Sequence, residues 1–175
     1  MKLAEIAADT LVAQCRIDTL MGALTLVATA HGLAAALFDA QRHHPGNLAL
    51  PDNPQFPHLA QAAAEIAAYF DNAQTVFNVP LDPQGSDFQQ AVWRLLLTIT
   101  PGRLSTYGQI ARQLGRADGA RAVGSAVGRN PLSIIVPCHR VVGHDGALTG
   151  YAAGLPRKQA LLRHEGVLQQ QGELL

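Results

Sequence analysis

The chain is predicted to fold as an α/β unit followed by a mainly α unit that carries a helix-turn-helix. Three observations carry this. Short apolar runs of strand character, split by turn residues, occupy the first forty or so positions. After "LDPQGSD" (81–87) the apolar spacing changes to a helical period. The charge changes at the same place. Residues 1–84 hold three basic residues and eight acids, a balance of −5; residues 85–175 hold ten basic residues and five acids, a balance of +5. The expected units are therefore 1–84 and 85–175.

In the first unit, "LVAQCRI" (11–17) and "ALTLVATA" (23–30) flank the turn "DTLMG", and "LAAALF" (33–38) completes a meander. Residues 41–57, rich in Pro, Asn and Gly, read as a loop. "HLAQAAAEIAAYF" (58–70) reads as a helix with its apolar stripe on Leu59, Ala63, Ile66, Ala67 and Phe70. "TVFNVP" (75–80) alternates and is expected to be a further strand.

In the second unit, Ser86 and Gln89 form a capping box for a helix with apolar residues at Phe88, Val92, Leu95, Leu96 and Ile99, ended by Pro101-Gly102. Thr106 and Gln109 form another, opening "YGQIARQL", which Gly115 closes. Asp118 is expected to cap "GARAVGSAVG" (119–128). Pro156 suits the first turn of "PRKQALLRHE", and Gly166 stops that helix.

Residues 106–128 thus have the spacing of a helix-turn-helix. Its second helix is nearly bare: Gly119, Ala120, Ala122, Gly124, Ser125, Ala126 and Gly128. Each Gly weakens a helix by about 1 kcal/mol relative to Ala, so something must offset the loss. Either another helix packs tightly against it, or a nucleic-acid backbone approaches it closely. The second reading fits the basic balance of this half, in which 9 of the 10 cations are Arg. A bare helix has few side chains to read base edges, so binding should be indifferent to sequence and suit the minor groove, with Arg121 as a wedge.

"NPLSIIVPCHRVVG" (130–143) sets Cys138 beside His139. Cys15, within an apolar strand, reads as a small buried hydrophobe. Cys138 follows the β-like run "SIIV" and a proline, and His139 and Arg140 are both expected to favour its thiolate. Neighbouring side chains point apart in any regular conformation, so a direct Cys–His hydrogen bond is awkward. A bridging water resolves this, and the imidazole then needs a group to fix its tautomer. Glu165, in "RHEG", is the candidate, although a helix C-terminus disfavours a carboxylate.

Other classes are excluded or disfavoured. No apolar run is long enough to span a bilayer and no signal peptide is evident, so no membrane association and a cytoplasmic location are expected. Two cysteines do not make a disulfide framework, and no zinc-ligand spacing occurs, so neither a metal nor another cofactor is expected.

"NPLSIIVPCHRVVG", with "STYGQIA", "ARAVGSAVGRNP", "LTGYAAG" and "LLRHEG", closely resembles the O6-alkylguanine-DNA alkyltransferases in their bacterial form, from about Gly85 to Gly166. The first half resembles that family's ribonuclease H-like N-terminal domain more weakly, "DTLMG" matching its hairpin turn. The resemblance implies a winged helix-turn-helix, and repair of double-stranded DNA by single-turnover transfer of an alkyl group from O6 of guanine to Cys138. It implies that His139 acts as base through a water, that Glu165 orients it, and that Tyr107 donates to the departing guanine. Asn130 should brace the turn before the Cys loop. Arg121, Ala122, Gly124, Ser125, Thr106 and Arg129 should contact DNA. The pocket should comprise Val127, Val141, Tyr151, Ala152 and Ala153, with the carbonyls of Cys138 and Val141 taking the guanine amine and Ala153 narrowing the space. A monomer is expected, with cooperative binding along DNA left open.

Three other readings are disfavoured by the sequence. A cysteine hydrolase is disfavoured by the adjacent Cys–His pair. A binding-only relative is disfavoured by the presence of Cys138, and a transcriptional regulator by the bare helix and the absence of a dimerisation element.

Overall fold

The computed structural model describes residues 10–46 and 48–168; the extreme ends of the two expected units lie outside these. Strands β1 (Leu11–Ile17), β2 (Leu24–Thr29) and β3 (Leu33–Phe38) form an antiparallel sheet in sequence order. The β1–β2 turn is fixed locally. Thr19 Oγ1 donates to Gly22 O at 2.6 Å and accepts from Met21 N–H, and Gly22 takes φ +108°, which a side chain would resist. Helix α1 (Pro57–Asp71) opens on a first-turn proline and packs on the sheet.

The stripe that α1 buries is Leu59, Ala62, Ile66 and Tyr69. The expected stripe is therefore shifted: Leu59 and Ile66 are in place, but Ala63 and Phe70 are half-buried and Ala67 is exposed. Alanine side chains are too small to set the phase of the helix, and the larger buried surface of Tyr69 decides it. "TVFNVP" is not a strand. Its N–H groups at Asn78 and Val79 donate to the Glu65 carboxylate at 3.0 and 3.1 Å, which replaces a ladder partner. One parallel bridge, Leu33 to Leu81, follows it. It needs a bare position at Gly32, where a Cβ would lie 2.6 Å from Pro80 O.

The helical half comprises α2 (Asp87–Leu96), α3 (Tyr107–Gln113), α4 (Ala120–Gly128) and α5 (Leu155–His164). Both expected capping boxes form, Ser86 with Gln89 and Thr106 with Gln109. Asp118 does not cap α4. Gly119 takes that position with no side-chain hydrogen bond, because Gly119 N–H already bonds Arg116 O in a tight turn. Two residues of β4 (Ser105–Thr106) pair in parallel with β5 (Val141–Val142). Ahead of β5 comes a single 3-10 turn, Cys138–Arg140.

The expected strand "SIIV" is also absent. Residues 130–137 instead coil tightly, with Ile134 at φ +73° and Val136 N–H bonded to Leu132 O at 2.9 Å. A buried β-branched residue in that region is strained and persists only where its surroundings fix it. They do: Ala36 on β3 donates to Pro131 O and accepts from Ser133 N–H, each at 2.9 Å. The segment before the cysteine is thus stitched to the N-terminal sheet. One buried apolar cluster accordingly runs through both halves, from Leu26, Phe38 and Ile66 to Trp93, Ile110, Val123 and Leu161. No helix is long and apolar enough to cross a membrane, among the described residues.

Candidate active site and nucleic-acid interface

A 3-10 turn spaces side chains by about 120°, so Cys138 and His139 diverge as their adjacency requires. Cys138 faces a cavity of about 280 Å³ and His139 faces the core, fully buried. No direct Cys138–His139 hydrogen bond forms among the described residues. The imidazole is instead held by Glu165: His139 Nε2 lies 2.8 Å from Glu165 Oε1. Since Glu165 is ionised, that nitrogen carries the proton, and Nδ1 keeps its lone pair with no protein partner.

Glu165 is the C-cap of α5 and 6% exposed, far from the solvent-facing residue its position suggests. Burial alone would raise its carboxyl pKa. Hydrogen bonds from His139 and from the Arg140 guanidinium outweigh this and hold it at about 2. Arg140 makes a bidentate pair, Nε to Oε2 at 2.9 Å and Nη2 to Oε1 at 2.8 Å, and also bonds the carbonyl of Ile99. The Arg140 guanidinium offsets the helix dipole. Tyr69, on α1, donates a further hydrogen bond to Oε1 at 2.8 Å. The pKa of His139 is held below its ordinary value, chiefly by burial, so the imidazole stands neutral and able to accept a proton at Nδ1.

Arg140 is therefore not a partner of the thiolate, contrary to the sequence reading; Glu165 and Ile99 occupy it. The sulfur's neighbours are others. Burial pushes the Cys138 thiol up, opposed by the Asn130 amide, which donates to Sγ at 3.1 Å, and by the charge of Lys158. Asn130 also ties its own turn together, donating to Val136 O at 2.8 Å and accepting from Leu132 N–H at 3.0 Å.

Lys158 gave no sequence signal of a role. It is wholly buried, and its ammonium bonds the carbonyls of Val141, Thr149 and Gly150. Burial lowers its pKa to about 8. Thr149 O also accepts from Tyr107 OH at 3.2 Å, so Lys158 and Tyr107 meet on one carbonyl.

Of the expected pocket residues, Val127, Tyr151 and Ala152 line the cavity with Cys138, and so do Tyr107 and three residues expected to contact DNA, Gly124, Ser125 and Arg129. Val141 and Ala153 do not. Val141 is buried in the short β4–β5 ladder with its carbonyl on Lys158, and Ala153 lies in the core with its carbonyl bonded by Arg157 Nη1 at 3.0 Å. The pocket is therefore not narrowed at Ala153. Arg42 and His43, from the loop after β3, join the lining unforeseen; nothing local in that loop distinguishes them from surface residues.

Helix α4 presents two faces. Val123, Ala126 and Val127 are buried, and Trp93 Nε1 donates to Ala126 O at 2.9 Å. Arg121, Ala122, Ser125 and Arg129 are exposed together on the other face. Packing demands a bare position only at its start, where a Cβ at Gly119 would lie 2.8 Å from Arg116 O; a Cβ at Gly128 would meet nothing within 4 Å, and one at Gly124 only ordinary contact with the Tyr107 ring. Thr106 is half-buried, its hydroxyl capping α3.

Comparison with known proteins gives two family matches: residues 16–83 fit the 6-O-methylguanine DNA methyltransferase ribonuclease-like domain, and residues 87–167 its DNA-binding domain. The methylated-DNA–protein-cysteine methyltransferase of Mycolicibacterium paratuberculosis is 44% identical over 149 residues, 85% of this chain and 89% of that protein. Its counterpart from Mycobacterium tuberculosis H37Rv is 46% identical over the same length, with the same coverage. The crystal structure of M. tuberculosis OGT in complex with DNA superposes with a TM-score of 0.80 at 44% identity, covering 88% of this chain and 92% of that one. An O6-methylguanine DNA methyltransferase from Methanococcus jannaschii superposes at 0.64 with 27% identity, covering 91% and 98%.

Proposed function

The chain belongs to the 6-O-methylguanine DNA methyltransferase family, whose activity is direct repair of alkylated DNA, and on that premise we propose that Cys138 is its alkyl acceptor. One observation carries the assignment. Cys138 lines the cavity beneath the bare face of α4, while its neighbour His139 is locked to an ionised, buried Glu165.

The reaction follows from these positions. A water bridging Cys138 to His139 Nδ1 passes the thiol proton to the imidazole, whose Nε2–H is already held by Glu165. Thiolate formation is helped by the Asn130 amide and the Lys158 ammonium. The sulfur attacks the alkyl carbon in line with the C–O6 bond. A carbon–sulfur bond forms, the carbon–oxygen bond breaks, and the guanine leaves with the bond's electrons. Tyr107, in the cavity wall, turns its hydroxyl from Thr149 O to donate to the departing purine. The product is a thioether with no easy hydrolysis, so each molecule acts once.

The target base lies inside a duplex and must be extruded into the cavity. The exposed α4 residues Arg121, Ala122, Ser125 and Arg129, with Gly124 and Thr106, approach the minor groove, and Arg121 fills the gap in the stack. The two units act as a ribonuclease H-like domain (1–84) and a winged helix-turn-helix domain (85–175), in a cytoplasmic monomer.

The test is intact-protein mass after incubation with a duplex holding one O6-methylguanine, with peptide mapping. The expected result is one added methylene equivalent on the Cys138 peptide, saturating at one per chain. Cys138→Ser should show no gain yet still bind the duplex. A gain on another residue, or transfer by the serine variant, refutes the assignment.

A further inference from the structure

We propose that Arg42, from the N-terminal unit, binds a backbone phosphate beside the extruded nucleotide, so that the N-terminal unit forms part of the DNA-binding site. This rests on the reading of Cys138 and its cavity given above.

The loop after β3 crosses to the mouth of that cavity, shaped by hydrogen bonds within its turn and tied to the helical half through Ser133 and Ala152. Gln41, 5% exposed, accepts through Oε1 from Phe38 N–H at 2.9 Å and from Ser133 Oγ at 3.1 Å. Its carbonyl accepts from His44 N–H at 3.1 Å. Arg42 N–H then donates to Ala152 O at 2.8 Å, next to Tyr151 in the cavity wall. Arg42 is thus tied on one side to the segment before Cys138 and on the other to the segment that closes the pocket. Its backbone is fixed before any ligand arrives, which reduces the ordering penalty on binding.

The side chain is exposed, and among the described residues its guanidinium makes no ion pair or hydrogen bond. It lines the Cys138 cavity and also a smaller cavity beside it. Arg129, at the C-terminus of α4, lines both as well, and so does His43. Among the described residues, no Asp or Glu lines either cavity. Two guanidinium groups therefore flank the mouth through which a nucleotide must enter, one from each unit. An extruded nucleotide brings its base into the pocket and leaves its two phosphates at that mouth. A fork of N–H donors matches a phosphate there. The base itself has no negative charge to recruit an arginine.

The experiment compares wild type with Arg42→Ala and Arg42→Lys in the rate of alkyl transfer. The probes are a single-stranded oligonucleotide with one O6-methylguanine, the same oligonucleotide with methylphosphonates flanking the lesion, and the free base O6-methylguanine. Arg42→Ala is expected to slow transfer from the ordinary oligonucleotide about fivefold, the scale of a partly exposed ion pair, with Arg42→Lys intermediate. The free base should react equally with all three proteins, and the methylphosphonates should erase the difference, as expected when both changes remove one contact. Equal slowing on oligonucleotide and free base, or a full loss that persists on the methylphosphonate probe, overturns the proposal. If wild type takes no alkyl group from any probe, the reading of Cys138 fails. Affinity for the ordinary and methylphosphonate oligonucleotides, measured by anisotropy, then decides the Arg42 contact on its own.

Discussion

Tyr69 and Glu165, 96 residues apart, share a hydrogen bond of 2.8 Å in which the phenol of the N-terminal helix donates to the carboxylate that holds His139. Both residues are buried. The oxygen it reaches, Oε1, also receives His139 Nε2 and Arg140 Nη2, so three donors converge on one atom. The N-terminal unit therefore reaches the His139 imidazole, through the Glu165 carboxylate.

Tyr69→Phe should reduce stability by about 1–2 kcal/mol, the scale of a hydrogen bond to a charged group, measured by urea unfolding. With one donor fewer, Glu165 holds the His139 proton more strongly, so the pH midpoint of alkyl transfer should rise. Glu165, Arg140 and Lys158 are the charged groups that act on His139, and none of them changes in the variant. An unmoved midpoint would leave Tyr69 a packing residue.

Acid should unfold the protein in two stages. His139 is held below 6.5 in the fold, so the unfolded chain binds the additional proton, and stability falls as pH drops below about 6.5. Glu165 stands at about 2 in the fold against an ordinary 4.5, so its contribution is full above pH 4.5 and is lost as pH falls from there towards 2. Urea midpoints collected from pH 8 to pH 3 test this. Glu165→Gln should be less stable at neutral pH, because Arg140 loses its partner, and should lack the second stage.

Lys158→Met should be more damaging than a conservative change of volume suggests. The ammonium serves three carbonyls, and methionine leaves them without that donor, a loss of about 2–4 kcal/mol in urea unfolding. Alkyl transfer from the free base should also slow, since the Thr149 carbonyl that positions Tyr107 loses its anchor. Wild-type rates in this variant would show that the loop is held by other contacts.

Arg121→Ala should slow repair in a duplex by on the order of tenfold, because extrusion leaves an unfilled gap in the base stack. Transfer from single strands and from the free base should change little. Equal slowing on all three substrates would remove its role as a wedge. The exposed position of Arg121 on α4, away from the cavity lining, makes loss of folding an inadequate explanation for a duplex-specific effect.

Much of this protein was legible in the sequence because the signals are local. Ser86 with Gln89 and Thr106 with Gln109 opened their helices because a capping box is closed within one turn. The three strands of the sheet followed from their apolar runs and the Thr19–Gly22 turn. Cys138 beside His139 ruled out a direct contact, because adjacent side chains diverge. The tertiary structure alone decided where those groups point and what surrounds them. It turned "SIIV" from a strand into a strained coil by pairing it with Ala36, and rotated the α1 stripe so that Tyr69 reached Glu165. It gave Arg140 to the carboxylate instead of the sulfur, buried Lys158 among carbonyls, and took Val141 and Ala153 out of the pocket. It brought Arg42 to the cavity mouth. The physical reason is common to all of these: a cap or a turn is completed by residues a few positions apart, whereas a buried polar group's partner is set by which faces of distant elements meet.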